Sequence, residues 1–506
     1  MSIKSFTSTD NLNGIRSEET ESATTITTET GDGGAPTMRS KGLEAQLRRK
    51  VDLRLCTIAG VLSSLYLLDS SVISSASVTS MIEDLGLEGN RYSVAIFIFT
   101  IASVAFQLPS TIAVRLFGPR IWFASITIAF GVITLCTAFI RTWKEMIAMR
   151  ILLGIAMSGI FPGLTLLISS WYTREEQQLR FAFLSSGQVF VLATGSIVNF
   201  GLNHLDRHDN LRGWQWMYLV QGMVAIVIGI ISYWWMVDFP ENANQSFHFL
   251  SKQETELAVA RIQKDRGDVE LTPFSWGEVL RHFLDPKIYG FAALFFLLNV
   301  VSTALSYFLP IILQSGMGFS SNQAILLSAP VSLAKMALRA SANSGKPYYY
   351  AIIPALISSR IGDKYHTRGP VITFNCLCLI AGFAMLGFSS QVTVRYVGTY
   401  LATGAFVSNW AALNSYQANN ITGQWKRTVT AAAVTACNGL GGVAGSYIVR
   451  QKEAPRYITA IWVSIGSHIL MIGLVLALSA YFYTANRKQA KGKKVIEETE
   501  GFRFTY

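Results

Sequence analysis

The sequence predicts an all-α integral membrane protein with about a dozen transmembrane helices. Of its 506 residues, 51% are apolar and only 14% are charged, whereas an ordinary soluble protein carries about 25% charged residues. The mean hydropathy is +0.36, and apolar runs recur at intervals of roughly 35 residues, which suits one bilayer crossing plus a loop. This composition argues against a soluble enzyme, a disordered protein and a disulfide-rich secreted scaffold.

Twelve spans are predicted between a polar N-terminal tail and a charged C-terminal tail. We place them at 53–78, 92–114, 121–140, 147–169, 180–202, 216–237, 288–313, within 322–360, and at 370–388, 392–413, 428–449 and 458–483. The predicted organisation is a disordered tail (1–50), a six-helix half (51–237), a charged linker (238–287), a second six-helix half (288–485) and a final tail (486–506). The N-terminal tail has no apolar segment of the kind found in signal peptides.

The distribution of Lys and Arg predicts that both tails are cytoplasmic. With the tails and linker on that side, 29 of the 42 basic residues are cytoplasmic and 9 lie on the other side. The short loops on the two sides of the membrane carry 9 basic residues each, so they do not distinguish the sides. The prediction therefore rests on the tails and the linker. We interpret the net charge of +11 as an attraction to anionic lipid, and we expect no nucleic-acid partner.

Two short basic loops occupy equivalent places in the two halves. The first reads Arg115-Leu-Phe-Gly-Pro-Arg120, and the second runs from Arg360 to Pro370. Glycine permits a tight turn between helices, and Asp363 could cap a helix or form an ion pair across a cytoplasmic gate. The predicted gating residues are Arg120, Arg360, Gly362, Asp363, Lys364 and Arg368.

Several stretches along the chain resemble the fungal allantoate permease family, in the anion:cation symporter group of the major facilitator superfamily. They are Lys50–Arg54, Glu83–Asn90, Arg150–Gly154, Phe161–Gly163, Ser170–Tyr172, Gly213–Trp216, Asp238–Glu241, Tyr307–Pro310, Leu327–Pro330 and Ala454–Tyr457. The resemblance implies the major facilitator fold, with two parallel six-helix repeats around a central cavity. It also implies alternating access and proton-coupled uptake of a small carboxylate or vitamin-like solute, by default at the plasma membrane.

Three positions depart from the family pattern where charges are expected. The first helix keeps Asp69, but Ser70 stands where the family has arginine; Gln107 and Met157 stand where it has glutamates. These changes weaken the expectation of an anionic substrate and of the usual proton relay. They motivate an alternative function, a nutrient sensor that has the same fold but no longer transports.

The predicted functional residues are polar groups inside apolar spans. A carboxylate at membrane depth is costly and usually functional, so Asp69 is the predicted proton-coupling residue; a structural aspartate bonded to serines is the alternative. Arg150 could bind substrate, form an ion pair with Asp69, or extend to lipid headgroups. Buried amides could line a cavity or bond between helices, and those predicted to bind substrate with Arg150 are Gln107, Gln188, Asn299, Asn409 and Asn414.

We therefore predict a monomeric secondary transporter of a small organic solute, with protons and the lipid bilayer as its other partners. No catalytic residue, cofactor or metal site is expected. The sequence contains no phosphate-binding loop followed by Lys-Ser/Thr and neither the H-E-x-x-H nor the G-x-S-x-G motif, which disfavours an ATP-driven pump and a membrane hydrolase.

The eighth span contains an anomaly. The stretch 322–360 is too long for one crossing, and its middle, 331–346, carries Lys335, Arg339 and Lys346. Removing those 16 residues would join Pro330 to Pro347 and restore one ordinary span. The codons for Val331-Ser332, Ala342-Asn343 and Lys346 are compatible with splice donor, branch and acceptor sequences. We interpret 331–346 as a retained intron; a true loop insertion is the alternative.

Sequencing of transcripts across this region tests the intron hypothesis. We expect molecules that lack the 48 nucleotides encoding 331–346, because the shorter reading frame restores a span free of charged residues. Uniform retention of these nucleotides in all transcripts would favour the loop insertion.

Overall fold

The computed structural model describes residues 38–76, 79–87, 91–206, 211–247, 249–266, 275–317, 347–448, 458–492, 496 and 502–506. These residues are mostly helical, and they include no strand. Leu47 to Tyr506 form one compact unit; of the preceding residues, only those from Met38 are described, as the start of a helix. The segment 331–346, on which the intron hypothesis rests, lies outside the described residues.

The described helices follow one another with short connections. They are α1 (Met38–Val51), α2 (Thr57–Ala76), α3 (Met81–Asp84), α4 (Arg91–Phe117), α5 (Pro119–Thr137), α6 (Trp143–Met157), α7 (Ile160–Trp171), α8 (Gln177–Asn203), α9 (Gly213–Trp235), α10 (Lys252–Arg266), α11 (Trp276–His282), α12 (Pro286–Met317), α13 (Pro347–Tyr365), α14 (Gly369–Phe388), α15 (Val392–Asn419), α16 (Gln424–Ile448) and α17 (Ile458–Ala490). One π-helical turn, Asp52–Cys56, joins α1 to α2.

Seven stretches of the described helices are long and apolar enough to cross a membrane. They are Gly42–Asp69, Val94–Phe117, Pro119–Thr137, Trp143–Trp171, Gly213–Trp235, Gly369–Phe388 and Ile458–Ala490. An eighth is obtained if α11 and the start of α12, bent by 64° at their junction, form one span. Helices α8, α13, α15 and α16 also lie where spans are expected, but they are more polar. The count of twelve spans therefore stays a prediction.

Helices before and after the linker form two packed groups that contact each other. We call α2–α9 the first helix group and α12–α17 the second helix group. Within them, α5 packs on α9, α12 on α16, and α14 on α15. Between them, α4 packs on α16, while α8 packs on α13 and α15. The two helix groups therefore meet along several pairs of helices.

Three local features of the sequence shape the helices: a cap, an interruption and a close contact at glycine. Thr142 caps α6, because its hydroxyl accepts a hydrogen bond from the backbone N–H of Glu145 at 3.4 Å. The predicted span 147–169 is interrupted at Ser158, between α6 and α7. Close helix packing depends on glycine at Gly441, where a Cβ would overlap the Phe296 carbonyl of α12.

Candidate functional site

A buried ion pair joins the two charged residues predicted to act inside the membrane. Arg150 of α6 donates from Nη1 to Asp69 Oδ2 of α2 at 2.9 Å, and from Nη2 to the Tyr218 hydroxyl of α9 at 2.9 Å. Arg150 is 3% exposed and Asp69 is 2% exposed. Of the alternatives for Arg150, the structure therefore shows the ion pair with Asp69 and not an arginine that extends to lipid headgroups.

The pair leaves one acceptor of Asp69 available. Asp69 Oδ1 is buried and has no hydrogen-bond partner among the described residues. Buried charges are stable only when they are paired and hydrogen-bonded, so burial leaves this oxygen of Asp69 without compensation from the described residues. Loss of either partner would leave the other as an unpaired buried charge.

The predicted amides divide into three kinds. Asn299 donates to the Asn438 carbonyl at 2.7 Å, and Asn409 donates to Cys376 Sγ at 3.4 Å, so both make contacts between helices. Gln107 and Gln188 are buried, and each has one polar atom without a partner among the described residues. The structure brings only Asn414 of the five to the cavity described next.

A small cavity, with room for about one water molecule, lies between the two helix groups. Phe161 of α7 meets Trp410 of α15 edge to face, with ring centroids 5.3 Å apart. The lining carries no charged residue and consists of Phe161, Thr165, Phe295, Trp410, Asn414, Gln417, Ala431, Val434, Thr435 and Asn438. Aromatic rings with a few amides and hydroxyls are typical of sites for small flat solutes.

Gln417 is the lining residue with the clearest unsatisfied group. It is 3% exposed, and its Oε1 has no hydrogen-bond partner among the described residues. A buried acceptor without a partner favours a solute that donates to it. Sequence reasoning missed Gln417 and the aromatic residues, although Trp410, Asn414 and Gln417 share one helix face by their i, i+4, i+7 spacing.

At one end of the helix groups, the side chain of Arg368 joins the first group to the second. It donates to Gln178 Oε1 at 2.5 Å, to the Arg174 carbonyl at 2.8 Å and to Asp363 Oδ1 at 2.7 Å. The side chain of Asn419 donates to the same Arg174 carbonyl at 3.2 Å. We call this set of contacts the Arg368 network.

Asp363 completes the network as both an ion-pair partner and a helix cap. Its Oδ2 accepts a hydrogen bond from the Leu179 backbone N–H, in the first turn of α8, at 2.9 Å. Burial raises the pKa of Asp363 and outweighs the opposing effects of the Arg368 charge and of this N–H donor. The backbone at Gly362 lies close to the side chain of Gln178. A Cβ at this position would overlap Gln178 Oε1, so a larger residue would force that side chain to move.

The other predicted gating residues lie outside this network. Arg120 donates from Nε to the Tyr233 carbonyl at 2.8 Å, and its backbone N–H donates to Asp238, so these bonds stay beside the first helix group. Arg360 and Lys364 are exposed. The structure thus brings Gly362, Asp363 and Arg368 together across the two groups and leaves the remaining three basic residues apart.

The sequence matches the description Major Facilitator Superfamily over residues 59–446. The chain belongs to the major facilitator superfamily. It is 28% identical to the high-affinity nicotinic acid transporter of Saccharomyces cerevisiae, over 93% of this chain and 83% of that protein. It is also 30% identical to an uncharacterized transporter of Schizosaccharomyces pombe, C11D3.18C, over 82% of this chain and 79% of that protein.

The fold agrees with that membership. The structure of the proton:xylose symporter XylE aligns with a TM-score of 0.67 at 14% identity, covering 86% of this chain and 96% of that one. This major facilitator protein is therefore an all-α integral membrane protein and a secondary transporter of small solutes, not an enzyme. The comparisons do not favour the sensor alternative.

Replacing Arg368 tests the energetic weight of the Arg368 network. We expect Arg368→Ala to lower the free energy of unfolding by about 2–4 kcal/mol at neutral pH, because it leaves the largely buried Asp363 without its counter-charge. The loss should shrink as the pH falls through the raised pKa of Asp363, since a protonated Asp363 needs no partner. Thermal unfolding of the purified protein measures both effects.

Arg360→Ala is the matched control for that variant, because Arg360 belongs to the same loop region but is exposed. It should change the free energy of unfolding by no more than about 0.5 kcal/mol. Equal losses in the two variants would show that Arg368 makes no special contribution.

Proposed function

We propose that this transporter carries a small heteroaromatic carboxylic acid, or its amide, by proton-coupled alternating access. The observation that supports this proposal best is the cavity itself: two aromatic rings in edge-to-face contact, amide groups, and no charged lining residue. Once the cavity widens, a flat ring would pack against Phe161 and Trp410, and its polar groups would reach Asn414 and Gln417. The similarity to a nicotinic acid transporter supports the same substrate class.

The uncharged cavity favours a solute that is neutral overall when it is bound. Arg150 precedes Phe161 by eleven positions, which corresponds to roughly 16 Å of helix rise. The Asp69–Arg150 pair and the cavity are therefore separate places in the protein. We propose that Asp69 takes up the proton and that Arg150 then attracts the carboxylate of an entering solute. Transfer of that proton from Asp69 to the carboxylate would make the solute neutral, and its new O–H would donate to Gln417 Oε1 in the cavity.

The resemblance to the allantoate permease group and the distribution of basic residues extend the proposal. We place the protein in that group and, by its default, in the plasma membrane. With both tails in the cytoplasm, the Arg368 network would form the cytoplasmic gate, closed in this structure. Opening would then require Arg368 to separate from Gln178 and Arg174.

Gln417→Ala tests the cavity as the substrate site. We expect the KM for uptake of labelled nicotinate or nicotinamide to rise roughly 5–100-fold, because a hydrogen bond to a buried acceptor contributes about 1–3 kcal/mol. Asn409→Ala is the control, since this amide lies on the same helix but contacts Cys376. An equal rise in both variants, or saturable uptake of aliphatic carboxylates alone, would contradict the assignment.

Asp69→Asn tests the proton site. We expect accumulation driven by an imposed proton gradient to be lost, because the amide cannot exchange a proton, while solute exchange without a gradient persists. Transport into proteoliposomes loaded with substrate measures both activities. Glu83→Gln, at an exposed position, should retain gradient-driven accumulation. Undiminished accumulation by Asp69→Asn would rule out this residue as the coupling group.

A further inference from the structure

A short extended segment, Phe502–Tyr506, lies against the protein at the Arg368 network. Its side chains alternate as in a strand: Phe502 is 3% exposed and Phe504 is 5% exposed, while Arg503 between them is exposed. An aromatic segment buried in this way is a specific contact and not a solvated tail.

Two asparagine side chains bind the backbone of this segment. Asn486 of α17 donates from Nδ2 to the Phe504 carbonyl at 2.8 Å and accepts from the Phe504 N–H at 2.9 Å. Asn420, just after α15, makes the same pair of bonds with Thr505, both at 2.9 Å. Each amide uses its donor and its acceptor on one residue, which fixes the register of the segment as a paired strand would.

Aromatic packing attaches the same segment to the second helix group. The Phe504 ring stacks on Phe482 of α17 with centroids 4.5 Å apart. Lys287, in the first turn of α12, places its Nζ 4.9 Å from the centroid of the Phe504 ring. Phe502 contacts Phe504 edge to face at 5.5 Å. These contacts add apolar burial to the backbone bonds.

Arg174 connects the segment to the first helix group. This residue precedes α8, and its Nη1 donates to the Arg503 carbonyl at 2.8 Å, while its guanidinium carbon lies 4.9 Å from the Phe502 ring centroid. The carbonyl of the same residue accepts the bonds from Arg368 and Asn419. The segment therefore contacts both helix groups beside the network that joins them.

We propose that Phe502–Tyr506 is a clasp that holds the two helix groups together at the Arg368 network and slows the opening of that end. Separation of the groups would move Arg174 away from Asn420 and Asn486, so either the bonds to Arg174 or those to the asparagines must break. The clasp favours the state closed at this end, and any partner or modification that displaces it would favour the open state. The proposal concerns regulation and needs no assumption about the solute.

Labelling of a cysteine in the cavity tests the clasp. Ala431 lines the cavity, is 2% exposed, and lies about two turns from the start of α16, the helix that follows Asn420. We would place an A431C reporter in the full chain in lipid nanodiscs and measure its labelling by N-ethylmaleimide with peptide mass spectrometry. Weakening the clasp with N486A or F504A should raise the labelling rate about 10-fold, because several hydrogen bonds and a buried ring are lost.

R503A is the matched control, because the Arg503 contribution comes from its backbone carbonyl and its side chain is exposed. Its labelling rate should stay within about two-fold of the parent. If N486A does not fold, N486D replaces it, since the carboxylate still accepts from Phe504 but cannot donate. A double variant, N486A/F504A, that labels no faster than R503A would overturn the proposal, whatever solute the protein carries.

Discussion

The closed arrangement at this end of the helix groups depends on the hydrogen bonds and the ion pair made by the guanidinium of Arg368. This guanidinium is almost fully buried, yet it satisfies acceptors on both helix groups: Gln178 and the Arg174 carbonyl on one, Asp363 on the other. A charge can remain buried there only while those acceptors stay together, since an unpaired charge in a low-dielectric site is costly. Separation of the helix groups would therefore cost the free energy of leaving this buried cation without those acceptors.

The same constraint operates at the Asp69–Arg150 pair, with a different consequence. Asp69 and Arg150 neutralise each other inside the first helix group. In the proposed mechanism, a proton on Asp69 would leave Arg150 without its counter-charge, and the carboxylate of the solute would take that place. In that mechanism the two buried cations would have separate roles: Arg368 would maintain the contact between the groups, and Arg150 would respond to protons and solute. The lining of the cavity has no charged residue, so a bound solute would form no ion pair there. Weak binding of this kind would suit a site from which a transported solute must be released.

The sequence predicted the fold class well, because low charge and long apolar runs are global properties that only a bilayer tolerates. It also predicted six gating residues at short basic loops. The structure brings Gly362, Asp363 and Arg368 together, but not Arg120, Arg360 and Lys364, because the sequence does not show which side chains of a loop point toward the other group. The sequence could not identify Gln417 or Trp410, because lining a cavity depends on which face of α15 meets α7. Asn409 shows the converse: an intramembrane amide of the same helix instead faces Cys376.

The cap on α8 carries a consequence of its own. The carboxylate that accepts from the Leu179 N–H belongs to Asp363 of the second helix group. A residue of the second group therefore caps a helix of the first group. When the groups part, the first turn of α8 loses this acceptor and must bond to water. The rate of hydrogen exchange at the Leu179 backbone amide would then report the fraction of time for which this end of the protein is open.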